Sequence, residues 1–62
     1  NKGDDRTKAP ILGDNVDVGV GAKIIGDVYI ADGVRIGANA VVVNSCTKRN
    51  AVLVGIPAKD IS

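Results

Sequence analysis

An aliphatic residue returns at every sixth position across the middle of this chain: Leu12, Val18, Ile24, Ile30, Ile36 and Val42. Four residues after each comes a smaller or branched apolar residue, Val16, Ala22, Val28, Val34, Ala40 and Cys46. A period of six excludes the commoner architectures. An amphipathic helix places its apolar residues three and four apart and drifts out of phase with six. Gly13, Gly19, Gly21, Gly26, Gly33 and Gly37 would each cost such a helix about 1 kcal/mol. An ordinary sandwich would alternate apolar and polar residues with period two, in strands of varied length.

The fourth residue of each hexad reads Asn15, Gly21, Asp27, Gly33, Asn39 and Ser45. Gly, Asn and Asp enter the left-handed region of backbone space at least cost. The pattern therefore predicts a short extended piece, then a tight corner, six times over. Hexapeptide repeats of this kind specify an all-β fold, a parallel β-helix. Three hexads make one triangular coil, so residues eighteen apart should stack: Leu12 with Ile30, Val18 with Ile36, Ile24 with Val42. Only slim side chains fit such a prism. That accounts for a chain that is 45% hydrophobic yet lacks Phe, Trp and Met and has one aromatic residue, Tyr29.

At Lys48 a charge stands where the series requires an aliphatic residue. Asn44 to Asn50 then reads as a polar loop, followed by one more apolar run, Val52-Leu53-Val54. Pro57 cannot donate to a ladder and suits an exit from the sheet. The chain divides into an exposed polar loop over 1–9, repeat coils over 10–47, and a loop, last strand and exit segment over 48–62. That is about two to three coils, whereas a stack of at least roughly three is needed for stability. The prism is therefore expected to continue upstream, to pack against other subunits, or both. A first residue of Asn rather than Met agrees with a piece of a longer chain.

Eight basic and seven acidic residues, net charge +1, predict no nucleic-acid footprint. One cysteine and no histidine exclude an internal disulfide framework and the usual Cys/His zinc site, so no metal is expected. No apolar run reaches the roughly 18 residues of a membrane span, and no signal peptide is visible. Gly19-Val20-Gly21 lacks the third glycine and the helix of a dinucleotide-binding loop. Cys46 falls in an inward small-residue slot and reads as a small buried hydrophobe.

Gly13-Asp14-Asn15-Val16, Gly19 to Gly26, Ile36 to Val42 and the final Gly55-Ile56-Pro57-Ala58-Lys59 resemble the C-terminal half of hexapeptide-repeat acetyltransferases. Within that superfamily the likeness is closest to serine O-acetyltransferases, over about residues 10–60. The resemblance implies a left-handed β-helix, against the usual right-handed rule for parallel crossovers. It implies trimers or dimers of trimers, acetyl-CoA lying between neighbouring prisms, a small-molecule acceptor, and a cytoplasmic location. The chemistry implied is transfer of acetyl from the CoA thioester to a hydroxyl, most simply that of L-serine. A histidine base and backbone N–H donors to the oxyanion would assist. That histidine belongs one or two turns upstream, and this chain has none, so no catalytic residue is assigned within it. The family's Arg-His-Pro, which contacts the amino-acid substrate, is replaced by Arg6 and Lys8-Ala9-Pro10. A sugar or other small acceptor, or a non-catalytic β-helix for assembly or regulation, are the alternatives. A γ-class carbonic anhydrase would need histidine ligands. An ice-binding prism would need a threonine ladder, and only Thr7 and Thr47 are present.

By position in the resemblance, the corners around Val20 and Gly21 and around Ala38 and Asn39 fall where the family backbone meets the pantetheine arm; corner geometry alone also explains them. Arg35 corresponds to a family lysine near the cofactor, or is a solvated side chain. Lys59 would meet the CoA phosphates as a charge-assisted partner, or is an ordinary surface lysine. Lys23 is a weaker candidate. Tyr29 points outward, to pack on a neighbouring subunit or merely to cover surface.

Overall fold

A computed structural model describes residues 9–62 of the chain. The polar stretch expected over 1–9 thus falls outside the described residues except for Ala9, which is exposed. Eight strands follow in order: β1 (Ile11–Leu12), β2 (Asp17–Val18), β3 (Lys23–Ile24), β4 (Tyr29–Ile30), β5 (Arg35–Ile36), β6 (Val41–Val42), β7 (Val52–Val54) and β8 (Lys59–Asp60). No helix occurs among the described residues.

The strands wind as a left-handed parallel β-helix with three faces. β1 pairs with β4 on the first face, β2 with β5 on the second, and β3 with β6 on the third, all parallel. Leu12 stacks with Ile30, Val18 with Ile36 and Ile24 with Val42. The eighteen-residue coil is therefore as the hexads predict. β7 extends the second face below β5, and β8 closes it as an antiparallel edge.

Inside the prism the two apolar series meet. Ile30, Val34, Ile36, Ala40, Val42, Ala51 and Leu53 form one buried cluster together with Ala31, and Val16, Ala22, Ile24, Cys46 and Ala58 pack against it. Burial is graded along the axis. Ile30 is 0% exposed, whereas Leu12 above it is 45% exposed. Val18 likewise stands 42% exposed above a buried Ile36. Ile30 and Ile36 are each covered from both sides, by Leu12 and Cys46 and by Val18 and Leu53.

Four of the six expected corners adopt left-handed torsions: Asn15 (φ 61°), Gly21 (φ 76°), Gly33 (φ 73°) and Asn39 (φ 61°). Asp27 and Ser45 do not. At the third corner of the first coil the positive torsion falls one residue earlier, on Gly26 (φ 93°). There Val28 N–H donates to Gly26 O at 3.0 Å, a three-residue turn centred on Asp27. At Ser45 the reason is different. Its hydroxyl oxygen accepts from Tyr29 N–H at 2.9 Å, standing in for the carbonyl that a regular coil would supply.

That substitution shortens the third coil. Cys46, not Lys48, pairs with Ile30, so Cys46 takes a strand position and not the corner-side slot that the six-residue count assigns to it. It is half-buried against the core, which keeps its reading as a small apolar side chain. Lys48 is left in the loop, where its ammonium lies 3.7 Å from Asp60. The pattern then resumes one residue early: Asn50 (φ 60°) makes the corner, Ala51 is buried, and Leu53 stacks under Ile36.

Candidate functional site

One corner of the prism gathers most of the residues singled out above. β2 ends at Gly19-Val20-Gly21 and β5 ends at Gly37-Ala38-Asn39, one coil below. Ala22 N–H donates to Gly19 O at 3.1 Å, and Ala40 N–H donates to Gly37 O at 3.2 Å, closing the two turns in the same way. Asn39 N–H reaches up to Val20 O at 2.9 Å, and Gly19 N–H reaches down to Ile36 O at 2.7 Å. The two turns are thus stitched together along the axis.

The packing between them is close. A β-carbon on Gly19 would lie 2.6 Å from Ala38 N, so no side chain fits there. A β-carbon on Gly21 would land on Asn39 Oδ1. Below, residues 55–58 wrap the same corner: Val41 N–H donates to Gly55 O at 3.0 Å, and Ala58 N–H donates to Val41 O at 2.7 Å. The result is a ridge of closely stacked turns with small apolar side chains on its outer side. Val20 is 86% exposed and Ile56 74% exposed, and Ala38 between them in the stack is exposed as well.

Arg35 and Lys59 lie on the second face, beside this ridge. Arg35 registers with Asp17 above it and Val52 below. Lys59 registers with Val54, two residues further along β7. Since paired residues share a side of the sheet and Leu53 between them is buried, both cations project from the outer surface. Lys23 registers with Val41 on the third face, across the corner. Val20, Gly21, Ala38, Arg35 and Lys59 therefore belong to one neighbourhood, flanked by two cations on one side and a third on the other.

The structure adds one contact and one residue to this neighbourhood that the sequence did not point to. Asn39 reads as a corner former, yet its carboxamide also fills the notch left by Gly21. Ile56 reads as part of an exit segment, and the early resumption of the coil at Asn50 is what carries it to the corner. β8 was equally unforeseen, because Lys59-Asp60 has no strand-like composition. Its far end is held by Asp60, whose carboxylate accepts from both the backbone N–H and the hydroxyl of Ser62. Those bonds, with the Lys48 ammonium, hold the Asp60 carboxyl below its ordinary range. No group of three or more His, Cys, Asp or Glu among the described residues could hold a metal ion. No described helix is long and apolar enough to cross a membrane.

No protein-family model matches the chain. A serine acetyltransferase of Mycobacterium tuberculosis is 48% identical over 52 residues, covering 84% of this chain and 22% of that protein. Among solved structures, serine acetyltransferase from Neisseria gonorrhoeae superposes with a TM-score of 0.85 at 35% identity, over 100% of this chain and 23% of that one. PerB from Caulobacter crescentus, solved in complex with CoA and GDP-perosamine, gives a TM-score of 0.82 at 31% identity, over 89% of this chain and 26% of that one. The chain thus spans about a quarter of the length of the proteins it matches.

Proposed function

We propose that this chain, which belongs to the hexapeptide-repeat acetyltransferase family, is the C-terminal cofactor-binding part of an enzyme that acetylates L-serine on its hydroxyl from acetyl-CoA. The observation that carries this reading is the ridge of Val20 and Ala38. Its turns stack closely because Gly19 and Gly21 carry no β-carbon, and it is flanked by Arg35 and Lys59. A thin, flexible arm ending in phosphates fits such a surface: the backbone can be approached closely, and the cations meet the negative end.

Acetyl-CoA supplies the acetyl group as an activated thioester. The residues of this chain would hold the pantetheine arm against the ridge and the phosphates near Arg35 and Lys59. Removing the proton from the acceptor hydroxyl is work for a base that this chain does not contain, since it has no histidine. That base belongs to residues upstream in the full-length protein. The whole protein is read as a cytoplasmic trimer or dimer of trimers, with the cofactor between neighbouring prisms.

Serine as acceptor rests on the identity to serine acetyltransferases. PerB is a structural neighbour solved with a different acceptor class, a nucleotide sugar, so an acetylated sugar is the second reading. A steady-state assay of the full-length protein separates them. Release of CoA thiol from acetyl-CoA is expected with L-serine and not with aminosugars or nucleotide sugars. Thiol release with the sugar alone would transfer the assignment to the second reading. No release with either acceptor, from a protein that is folded, would overturn both.

A further inference from the structure

The stacking of the coils repeats one device at three places: a carboxamide or carboxylate oxygen from one coil fills the space beside a glycine of the coil before. Asp32 Oδ1 fills it at Gly13, Asn39 Oδ1 at Gly21 and Asn50 Oδ1 at Gly33. Only one of the three touches the cofactor ridge. Asn39 also donates its N–H to Val20 O at 2.9 Å. Its backbone thus bonds the Val20-Gly21 peptide, and its side-chain oxygen lies beside Gly21. Val20 itself is 86% exposed. We propose that Asn39 is a positioning residue for the cofactor, which sets the height and tilt of the Val20-Gly21 peptide against which the pantetheine arm lies. The inference rests on the acetyl-CoA reading above, and it assigns to Asn39 no contact with the ligand.

The physical case is one of rigidity. Gly21 has no side chain to anchor it and stands at φ 76°, where a glycine is free to move to many other torsions. The carboxamide of Asn39 occupies the space beside Gly21 where a β-carbon would lie, and so packs against that corner. A surface that must meet a flexible ligand gains affinity when it is already held in the bound shape.

The test compares two substitutions in the full-length protein. Asn39→Gly keeps a residue suited to φ 61° while emptying the notch beside Gly21. Asn50→Gly does the same beside Gly33, at a different corner remote from the ridge. Both should lower thermal stability to a similar degree. Asn39→Gly should weaken CoA binding by roughly five- to tenfold, raise the KM for acetyl-CoA, and leave the KM for the acceptor unchanged. Asn50→Gly should leave CoA affinity as it is. Equal CoA affinity in wild type and Asn39→Gly, or equal weakening by the two variants, would overturn the inference while leaving the acetyl-CoA reading intact. Failure of the wild-type protein to bind CoA would overturn both.

Discussion

The side-chain oxygen of Asn50 fills the space beside Gly33 where a β-carbon would lie, although the two residues are seventeen apart and not eighteen. Their backbones are also joined, since Asn50 N–H donates to Asp32 O at 3.0 Å. The corner is rebuilt in full after a loop that loses one residue. Coil stacking in this molecule is therefore governed by matching corners, and the length of chain between them can vary.

Filling a glycine notch should cost more than merely straining a glycine. Gly21→Ala meets Asn39 Oδ1 and must also hold a left-handed torsion, whereas Gly26→Ala meets nothing within 4 Å. The torsional cost for a residue with a side chain is about 1–2 kcal/mol in both. Chemical denaturation should show Gly21→Ala losing more than Gly26→Ala, with the excess reporting the clash. Equal losses would mean that Asn39 swings away freely.

Truncating the axial column should be costly at Ile30, which is fully buried. Ile30→Ala is expected to lose about 2–5 kcal/mol, the usual range for a large-to-small change in a packed core. Ile36→Val, which removes one methylene, should lose about 0.5–1.5 kcal/mol. Denaturant midpoints at unchanged m-value would check both.

Asp60 makes the C-terminal edge sensitive to acid. Its carboxyl is lowered chiefly by the hydrogen bond from the Ser62 hydroxyl, then by the Ser62 backbone N–H, with Lys48 contributing less. A carboxyl lowered on folding contributes stability that is complete above its unfolded value, near 3.9. That contribution is lost as the pH falls through the lower folded value. The protection of the Ile61 amide, whose N–H donates to Val52 O, taken relative to the intrinsic exchange rate at each pH, should fall below about pH 4 in the wild type. Asp60→Asn should show a protection factor without that fall.

Removing either cation beside the ridge should weaken the cofactor without unfolding the prism. Arg35→Ala and Lys59→Ala are each expected to lower CoA affinity by about tenfold or less, the scale of one charge-assisted contact. The loss should shrink as salt is raised. Titration calorimetry at two ionic strengths would read both effects. A loss that is insensitive to salt would place the residue elsewhere than opposite the phosphates.

Much of this was legible in the residues. The hexads fix which side chains point inward, and Ile24 does stack on Val42. What could not be read is where the repeat bends its own rules. At Gly26 a glycine adjacent to the expected corner took the positive torsion from Asp27. At Ser45 a hydroxyl replaced a backbone acceptor, which moved Cys46 under Ile30 and cast Lys48 into the loop. Local propensity was satisfied in both cases by a neighbour or a side chain, and a periodic count sees neither. The candidate site was legible as a set of residues. That Ile56 completes its corner became visible only once the third coil was seen to resume at Asn50.

Methyl NMR of the full-length protein, with alanine and valine labelled and CoA added, reads the central claim most directly. The methyls of Val20 and Ala38 should shift with a common saturation curve, and those of Val16 and Val34 beside the opposite corner should not. Shifts confined to Val16 and Val34, or none at saturating CoA, would contradict the account.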